Sequence, residues 1–274
     1  MIVIVGAASF LARVFLQLPH KFSIVTLSHS ELERVHDIPD IECIINFAFA
    51  PDLYTQAYRP ELDIDAKLGG YAAERGIHYV MLSSRKVYSH DAQWNALEDA
   101  QATGQDAYGR NKRQIENSLS QLLGNRLTIL RPGNVFGFER QPGRTRFGAY
   151  LLNQLANNGE IRLTLSPFVR RDVVPVDYFC EVLQEVVVRK PSGIFNVGAG
   201  HATEIGRVAL WMLEGFGRGK LIVDSAVEVD EFQLDSSKVA TEFGLSCNAV
   251  RIQQFSKKLG SLLKAEIEKN GPRT

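Results

Sequence analysis

The chain is poor in cysteine, carries no excess of charge of either sign and contains no long apolar run. Its three cysteines, Cys43, Cys180 and Cys247, are scattered without C-x-x-C spacing, which argues against a disulfide framework and a zinc site. The six histidines show no ligand spacing either, so no metal site is predicted. The 31 basic and 31 acidic side chains balance, which removes the electrostatic case for nucleic acid or an anionic membrane.

No apolar stretch approaches the roughly 20 residues of a membrane span. The apolar residues 2–5 lack a basic segment before them and meet Gly6 at once, so they indicate a buried strand rather than a signal peptide. Together with the free cysteines, these features predict a cytoplasmic protein of 274 residues that folds without disulfides.

What the chain does contain is an alternation of short apolar runs and amphipathic segments. Such a series predicts right-handed βαβ units and an α/β fold, a Rossmann-type doubly wound parallel sheet. After residue 131 the rhythm changes and the elements become shorter and mixed, which predicts a small mixed α/β C-terminal region. The predicted strands cover residues 2–5, 23–27, 43–47, 79–82, 126–130 and 194–197, and the clearest helices cover residues 9–18, 66–75, 107–122 and 251–269.

The first strand leads into a small-residue loop at residues 6–12 (G-A-A-S-F-L-A) that opens a helix. This is where the pyrophosphate of a dinucleotide would lie on helix N–H groups. Gly6 stands at the first glycine place of a dinucleotide fingerprint, whereas Ser9 and Ala12 stand at the next two. The loop therefore favours a dinucleotide cofactor, with a tight strand-to-helix turn that holds no ligand as the alternative.

The end of the second strand bears on the choice of cofactor. NAD sites usually place an acidic residue there for the ribose hydroxyls, but Ser28, His29 and Ser30 occupy this corner. Ser28, His29 and Arg34 could bind a 2′-phosphate, so the corner favours NADP over NAD. A solvated turn is the alternative.

Tyr108 and Lys112 lie four residues apart on a predicted helix, so their side chains share one face. A positive charge beside a phenol favours the phenolate and is expected to lower its pKa, which suits a proton acid or base. Ser84, upstream in L-S-S-R-K-V-Y, could position a substrate oxygen by a hydrogen bond. The three residues are therefore predicted to be catalytic, although chance alone can supply a Y-x-x-x-K spacing.

The order of these pieces resembles one family, the extended short-chain dehydrogenase/reductases, which include the NAD-dependent epimerases and dehydratases of nucleotide sugars. The resemblance covers about residues 1–245. Its most specific match is residues 130–137 (L-R-P-G-N-V-F-G), nearly identical to the family's L-R-P-x-N-V-Y-G. The other matches are residues 6–12 with the glycine loop, 37–38 with the acidic pair at the adenine, 46–49 with H-x-A-A, 83–88 with S-S-x-x-V-Y, 108–112 with Y-G-x-x-K, 171–177 with R-D-F-V-x-V-D, 195–198 with Y-N-V-G and 234–238 with L-D-x-x-K.

The resemblance implies an NAD(P)-binding domain over residues 1–131, to which segments around 171–200 return, and a mainly substrate-binding region over residues 132–274. Arg131 is a cofactor contact or only an internal salt-bridge partner. Arg144 and Arg146, in a loop rich in glycine and proline, are diphosphate ligands or solvated residues, and Arg171 is a substrate ligand or a structural partner of Asp172. The cofactor-binding residues are then Gly6, Ser9, Phe10, Leu11, Ser28, His29, Asp37, Ile38, Phe47, Ala48, Tyr108, Lys112 and Arg131, and the substrate-binding residues are Ser84, Arg85, Asn134, Arg144, Arg146 and Arg171.

Three departures from the family pattern are informative. Residues 37–43 are too short for a full helix before the next strand, so one crossover is expected to be trimmed. Residues 62–67 (L-D-I-D-A-K) stand where the family often has N-V-x-G-T, which puts its asparagine in doubt. Arg85 and Lys86 follow Ser84 where dehydratases carry acidic residues, so 4,6-dehydration is not expected.

The expected activity is therefore that of an NAD(P)-dependent oxidoreductase on a nucleotide-diphosphate sugar, with 4-keto reduction favoured. The alternatives are a nucleotide-sugar 4-epimerase with tightly bound NAD and a non-catalytic dinucleotide-binding scaffold or sensor. Relatives commonly form homodimers by pairing two long helices from each subunit, so the helix over residues 107–122 is a candidate interface by resemblance.

Overall fold

A six-stranded parallel sheet forms the centre of the computed structural model, which describes residues 1–140, 146–225, 227 and 229–270. The strands of this described part are β1 (Ile2–Val5), β2 (Ile24–Leu27), β3 (Cys43–Asn46), β4 (His78–Leu82), β5 (Leu127–Pro132), β6 (Asn134–Phe136), β7 (Glu160–Leu163), β8 (Arg170–Arg171), β9 (Val173–Pro175), β10 (Gly193–Val197), β11 (Thr203–Glu204) and β12 (Lys220–Val223). Its α-helices are α1 (Phe10–Leu16), α2 (Ile64–Arg75), α3 (Ala107–Leu123), α4 (Phe147–Asn158), α5 (Val176–Arg189), α6 (Ile205–Phe216), α7 (Ser237–Phe243) and α8 (Ala249–Asn270).

The strand order of the central sheet is β2-β1-β3-β4-β5-β10, and every neighbouring pair is parallel. The order reverses between β1 and β3, and in open α/β sheets ligands bind in the crevice at the carboxyl ends of the strands beside such a reversal. The predicted Rossmann-type doubly wound fold is confirmed, and its geometry directs attention to this edge.

Side chains of each strand alternate between two apolar cores, one on each face of the sheet. Ile2 and Ile4 face a core that includes α1 and α5, whereas Val3 and Val5 face a core that includes α2 and α3. Burial on both faces explains why the strands are continuous apolar runs rather than alternating ones. None of the helices in this part of the chain is both long and apolar enough to span a membrane.

The connection between β2 and β3 is trimmed, as the sequence predicted. It contains a 3-10 helix over Leu32–Asp37 instead of an α-helix. The classic dinucleotide-binding order, 3-2-1-4-5-6, has a further strand outside strand 2, but here β2 is the edge of the sheet. The corner at the end of β2 is consequently less enclosed than in the classic arrangement.

The second half of the chain partly returns to the sheet. β10 pairs with β5, while β6–β9 and β7–β12 form small parallel pairs and β8–β11 a small antiparallel pair. The buried helix α5, which the sequence pattern did not predict, packs against α1. The division into two regions at residue 131 stays a prediction.

Candidate active site

The loop after β1 is built for a close approach to the end of β3. Gly6 has φ +81°, and a Cβ there would lie 2.7 Å from the backbone nitrogen of Ala48. Ser9 caps α1, because its Oγ accepts a hydrogen bond from the Ala12 N–H at 3.2 Å. The serine in place of the second glycine thus serves the helix start and keeps the loop tight.

A cavity of about 220 Å³ lies at the carboxyl ends of β1, β3, β4 and β5. It brings together all three predicted catalytic residues, two of which are also predicted cofactor residues, and five further predicted cofactor residues. Gly6 does not line it but approaches Ala48, which does. The lining includes Ser9, Phe10, Leu11, Asn46, Phe47, Ala48, Phe49, Tyr54, Ser83, Ser84, Tyr108, Lys112, Gly133, Val135 and Arg146.

Tyr108 stands in the first turn of α3 and is fixed by aromatic packing. Asp106 caps this helix by accepting the N–H of Gly109 at 2.8 Å. The Tyr108 ring stacks on Tyr54 with centroids 5.0 Å apart and an interplanar angle of 12°, and it meets Phe49 edge-on at 5.2 Å. Two rings therefore hold the phenol against the cavity wall.

Ser84 lies two residues after the end of β4, on the cavity that Tyr108 also lines. A Cβ on Gly109 would lie 2.1 Å from the carbonyl oxygen of Lys86, so the start of α3 packs directly on the turn that follows Ser84. The Ser84 Oγ accepts the Lys86 N–H at 3.2 Å. The serine hydroxyl and the phenol are thereby held together by the packing of two backbone segments.

The pKa of Tyr108 departs from its usual value in the direction opposite to the expectation. Burial, and secondly the neighbouring Tyr54, raise the pKa of Tyr108, while hydrogen bonding with Ser84 and the charge of Arg146 act against them. The expectation that Lys112 sets a lowered pKa was wrong for the resting protein, because desolvation of the phenolate outweighs the nearby positive charges. The phenol keeps its proton.

Lys112 is buried and its ammonium has other partners. Nζ donates to the carbonyl oxygen of Leu82 at 2.7 Å, lies 3.7 Å from Oδ2 of Asp65 and stands 4.2 Å from the centroid of the Phe49 ring. No hydrogen bond joins it to Tyr108 among the described residues. Burial lowers the pKa of Lys112, and the Asp65 carboxylate opposes that shift. Sequence reasoning did not nominate Asp65, although it lies in the 62–67 segment that departs from the family pattern.

A second cavity, of about 500 Å³, adjoins the first and shares Gly133, Val135 and Arg146 with it. Its lining gathers the predicted substrate residues Arg85, Asn134, Arg146 and Arg171 together with Lys86. Arg144 lies outside the described residues. The cavity is therefore lined by several cationic side chains, of which Lys86 pairs with Asp106 and Arg146 lies 3.7 Å from Glu139.

Two of these arginines lie in surroundings that disfavour their charge. Burial, and secondly the charge of Arg171, lower the pKa of Arg85 to about 10, and burial lowers the pKa of Arg171. The buried Nε of Arg171 has no hydrogen-bond partner among the described residues. Asp172, the structural partner considered for Arg171, instead accepts the backbone N–H groups of Ala199 and Leu234. An anion such as a diphosphate would supply the missing partner.

Arg131, predicted to contact the cofactor, lines neither cavity. It is 1% exposed, and its Nε and Nη2 donate to the two carboxylate oxygens of Glu116 at 2.9 and 2.6 Å. Its Nη1 donates to the carbonyl oxygen of Glu98 at 2.9 Å. The internal salt bridge is the arrangement found, because bidentate pairing and burial leave this guanidinium no free face.

The residues predicted to hold the adenosine end also lie outside both cavities. Ser28 shares a hydrogen bond with Ser30 at 2.8 Å, and His29 and Asp37 are exposed, with Ile38 half-buried beside them. They surround an open corner at the end of β2 rather than a closed pocket.

Comparisons with known proteins agree with this architecture. A family model described as "NAD dependent epimerase/dehydratase family" matches residues 5–198. The UDP-N-acetylglucosamine 4-epimerase of Methanobrevibacter ruminantium, in complex with UDP-N-acetylmuramic acid, superposes with TM-score 0.79 at 13% identity, over 97% of this chain and 98% of that one. The dTDP-glucose 4,6-dehydratase of Bacillus anthracis, in complex with NAD, superposes with TM-score 0.75 at 16% identity, over 98% of this chain and 97% of that one. RMD of Pseudomonas aeruginosa, complexed with NADPH, superposes with TM-score 0.74 at 14% identity, over 97% of this chain and 99% of that one. At such identities the likeness shows the fold.

Proposed function

The chain belongs to the NAD-dependent epimerase/dehydratase family, and on that basis we propose that it is an NAD(P)-dependent reductase of a 4-keto nucleotide-diphosphate sugar. The observation that carries the proposal is the shared wall of the two cavities. Gly133, Val135 and Arg146 belong to both, so Ser84 and Tyr108 stand where a cofactor groove meets a cationic cavity. A diphosphate held by arginines would place its sugar at this junction.

The protein's own residues fit a cofactor and an acid–base role. The small-residue loop at Gly6 and the start of α1 would hold the dinucleotide, whose nicotinamide supplies the hydride for the ketone carbon. Ser84 donates a hydrogen bond to the ketone oxygen, and Tyr108 gives its phenolic proton to the same oxygen. The raised pKa of Tyr108 suits this direction, because the acid must be protonated before the reaction starts. Lys112 then stabilises the phenolate that remains.

The adenosine corner favours a cofactor that leaves after each turnover. Ser28, His29 and Asp37 border an open edge strand and line neither cavity, so few contacts would retain the adenosine half. A reductase must exchange its cofactor, whereas an epimerase keeps it bound. The lack of a carboxylate at residues 28–30 further supports NADP over NAD.

The second candidate is a nucleotide-sugar 4-epimerase. It is supported by the family model, whose description names epimerases. A non-catalytic scaffold is disfavoured because Ser84, Tyr108 and Lys112 remain together on one cavity. Dehydration is disfavoured by Arg85, which stacks on Phe232, and by Lys86, which pairs with Asp106, in place of acidic side chains after Ser84.

We also propose that any homodimer formed through α3 is weak. The outward face of this helix is polar, carrying Arg110, Gln114, Asn117 and Gln121, with Leu122 as an exposed apolar residue. Stable dimer interfaces usually have an apolar centre.

The test is to mix the purified protein with NADPH and a 4-keto-6-deoxy nucleotide sugar and to follow the near-ultraviolet absorbance of the reduced nicotinamide. The proposal predicts a loss of absorbance that depends on the keto sugar. A parallel sample receives NAD and a UDP-hexose. Inversion of the hexose there, with no loss of NADPH in the first sample, would replace the reductase by the epimerase.

A further inference from the structure

We propose that Asp65 is a positioning residue for the reaction, a buried carboxylate that keeps the Lys112 ammonium charged and in place; this rests on the proposed function. Asp65 is 1% exposed and Lys112 is 4% exposed, so both groups have left water. Their atoms Oδ2 and Nζ lie 3.7 Å apart. A buried ammonium is costly unless a charge of opposite sign accompanies it, and the carboxylate has the same need.

The other carboxylates around Lys112 have different tasks. Asp63, the N-cap of α2, accepts the Ala66 N–H at 2.9 Å and the Tyr58 hydroxyl at 2.7 Å. Glu116, one turn further along α3, binds Arg131 with both oxygens and also Arg113. The phenols of Tyr108 and Tyr79 face the same region and are neutral, since burial raises both of their pKa values. Asp65 is therefore the carboxylate left to pair with Lys112. Burial raises the pKa of Asp65, and the Lys112 ammonium and the hydrogen bonds from Asn46 and Tyr79 act against that rise.

Asp65 also ties the lysine to the wall of the first cavity. Its Oδ1 accepts hydrogen bonds from Asn46 Nδ2 and from the Tyr79 hydroxyl, both at 2.8 Å. The Oδ1 of Asn46 in turn accepts the N–H of Ala48 at 2.9 Å. One carboxylate thus joins α2, β3 and β4 to the ammonium from α3, and it does so next to the backbone that Gly6 approaches.

The pairing is consistent with the state of the phenol, whose pKa is raised mainly by burial. Because the carboxylate balances the ammonium, the lysine charge acts only weakly on Tyr108 in the resting protein. When Tyr108 gives up its proton, the ammonium is already charged and lies against the Phe49 ring that Tyr108 also contacts. Positioning by Asp65 would therefore favour the product side of the proton transfer without removing the proton beforehand.

The test compares wild type with Asp65→Asn, which keeps the shape of the side chain and removes its charge. Titration of Lys112 is followed by NMR of isotope-labelled lysine in the protein without sugar or cofactor, and the signal is assigned by its loss in Lys112→Met. We expect the pKa of Lys112 to fall by at least about one unit, a tenfold change in its ionisation constant. The alkaline limb of kcat/KM should move to lower pH by the same amount.

Tyr79→Phe is the matched control, because it removes a hydrogen bond to Asp65 and keeps the charge; its alkaline limb should stay close to that of wild type. An unchanged Lys112 titration in folded Asp65→Asn would overturn the proposal. If that variant does not fold, wild type decides alone, since a Lys112 that is already neutral at about pH 7 contradicts the pairing. The NMR titration needs no turnover, so failure of the reductase assay would not be confused with failure of this inference.

Discussion

The two ends of the proposed cofactor groove are built very differently. At the catalytic corner Lys112, Glu116 and Arg131 are buried and Tyr108 is packed between two rings. At the adenosine corner His29 and Asp37 are exposed, and the ion pair there, Arg34 with Glu31 at 3.0 Å, lies on the surface. Under the proposed function, this contrast means a rigid centre for the chemistry and a loose hold on the far end of the cofactor.

The cause of the contrast is the trimmed crossover. A 3-10 helix replaces an α-helix between β2 and β3, which leaves β2 as the edge of the sheet. On the other side of the sheet, the Glu116–Arg131 pair joins α3 to β5. Ser83, directly after β4, donates a hydrogen bond to the same Glu116 carboxylate. If the buried catalytic corner and the exposed adenosine corner also differ in function, substitutions at the two corners should have different effects.

The largest effect should come from Tyr108→Phe. It removes the proposed acid, so we expect turnover to fall by about 10²–10⁴-fold while NADPH still binds. Steady-state kinetics and a fluorescence titration of the cofactor measure the two quantities. Tyr54→Phe is the control, because it keeps the stacked ring and removes a hydroxyl beside Tyr108. Equal losses in both variants would contradict a special role of Tyr108 as the acid, because each variant removes one hydroxyl and keeps its ring.

The next largest effect should be a difference in how much the two corners contribute to the free energy of unfolding. Arg131→Met leaves Glu116 buried without its bidentate partner, and we expect the free energy of unfolding to fall by about 3–5 kcal/mol. Arg34→Ala removes the exposed pair at the other corner and should cost about 0–1 kcal/mol. Urea denaturation measures both. Similar losses in the two variants would contradict the contrast between a braced corner and an open one.

A smaller effect is expected from Ser28→Asp. A carboxylate at the end of β2 would repel a 2′-phosphate, so the affinity for NADPH should fall by about tenfold, or roughly 1.4 kcal/mol, while that for NADH is kept. Cofactor titrations with both reduced nucleotides provide the measurement. An equal change for NADPH and NADH would show that Ser28 does not choose the cofactor.

The smallest effect separates the pH dependence of folding from that of the site. His78, at the amino end of β4 and away from the cavities, hydrogen-bonds Thr128 at 2.8 Å, and burial lowers the pKa of His78 from 6.5 to about 4. Between pH 4 and 6.5, His78 therefore binds a proton in the unfolded chain but not in the folded one. Stability from this group is present above pH 6.5 and is lost as the pH falls toward 4.

His78→Gln should flatten the slope of unfolding free energy against pH in that window and leave the pH profile of activity unchanged. Denaturation at a series of pH values, with kinetics on the same samples, makes the comparison. A shift in the activity profile would mean that the two ends of β4 are coupled.

The sequence allowed much of this to be foreseen where the signal was local. The apolar runs predicted the buried strands, and the helical spacing put Tyr108 and Lys112 on one face of α3. Helix α5 was missed because its run of Val186, Val187 and Val188 is typical of strands, and burial overrides that preference.

The partners of buried charges could not be foreseen. Asp65 meets Lys112, and Glu116 meets Arg131, only after separate elements pack together. The sequence around a charged residue does not indicate whether its partner is a ligand or another side chain. For the same reason the pKa of Tyr108 was predicted in the wrong direction, since burial became visible only with the fold.

The central claim is that the enclosed catalytic corner reduces a ketone with a cofactor that the open corner releases. Its most direct test is the number of NADPH molecules oxidised for each sugar alcohol formed, measured over many turnovers with NADPH that carries deuterium at the transferable position. The account predicts one NADPH oxidised per product, with the deuterium on the carbon that bore the ketone. Conversion of the sugar with no net oxidation of added NADPH, and with NAD retained by the purified protein, would contradict it.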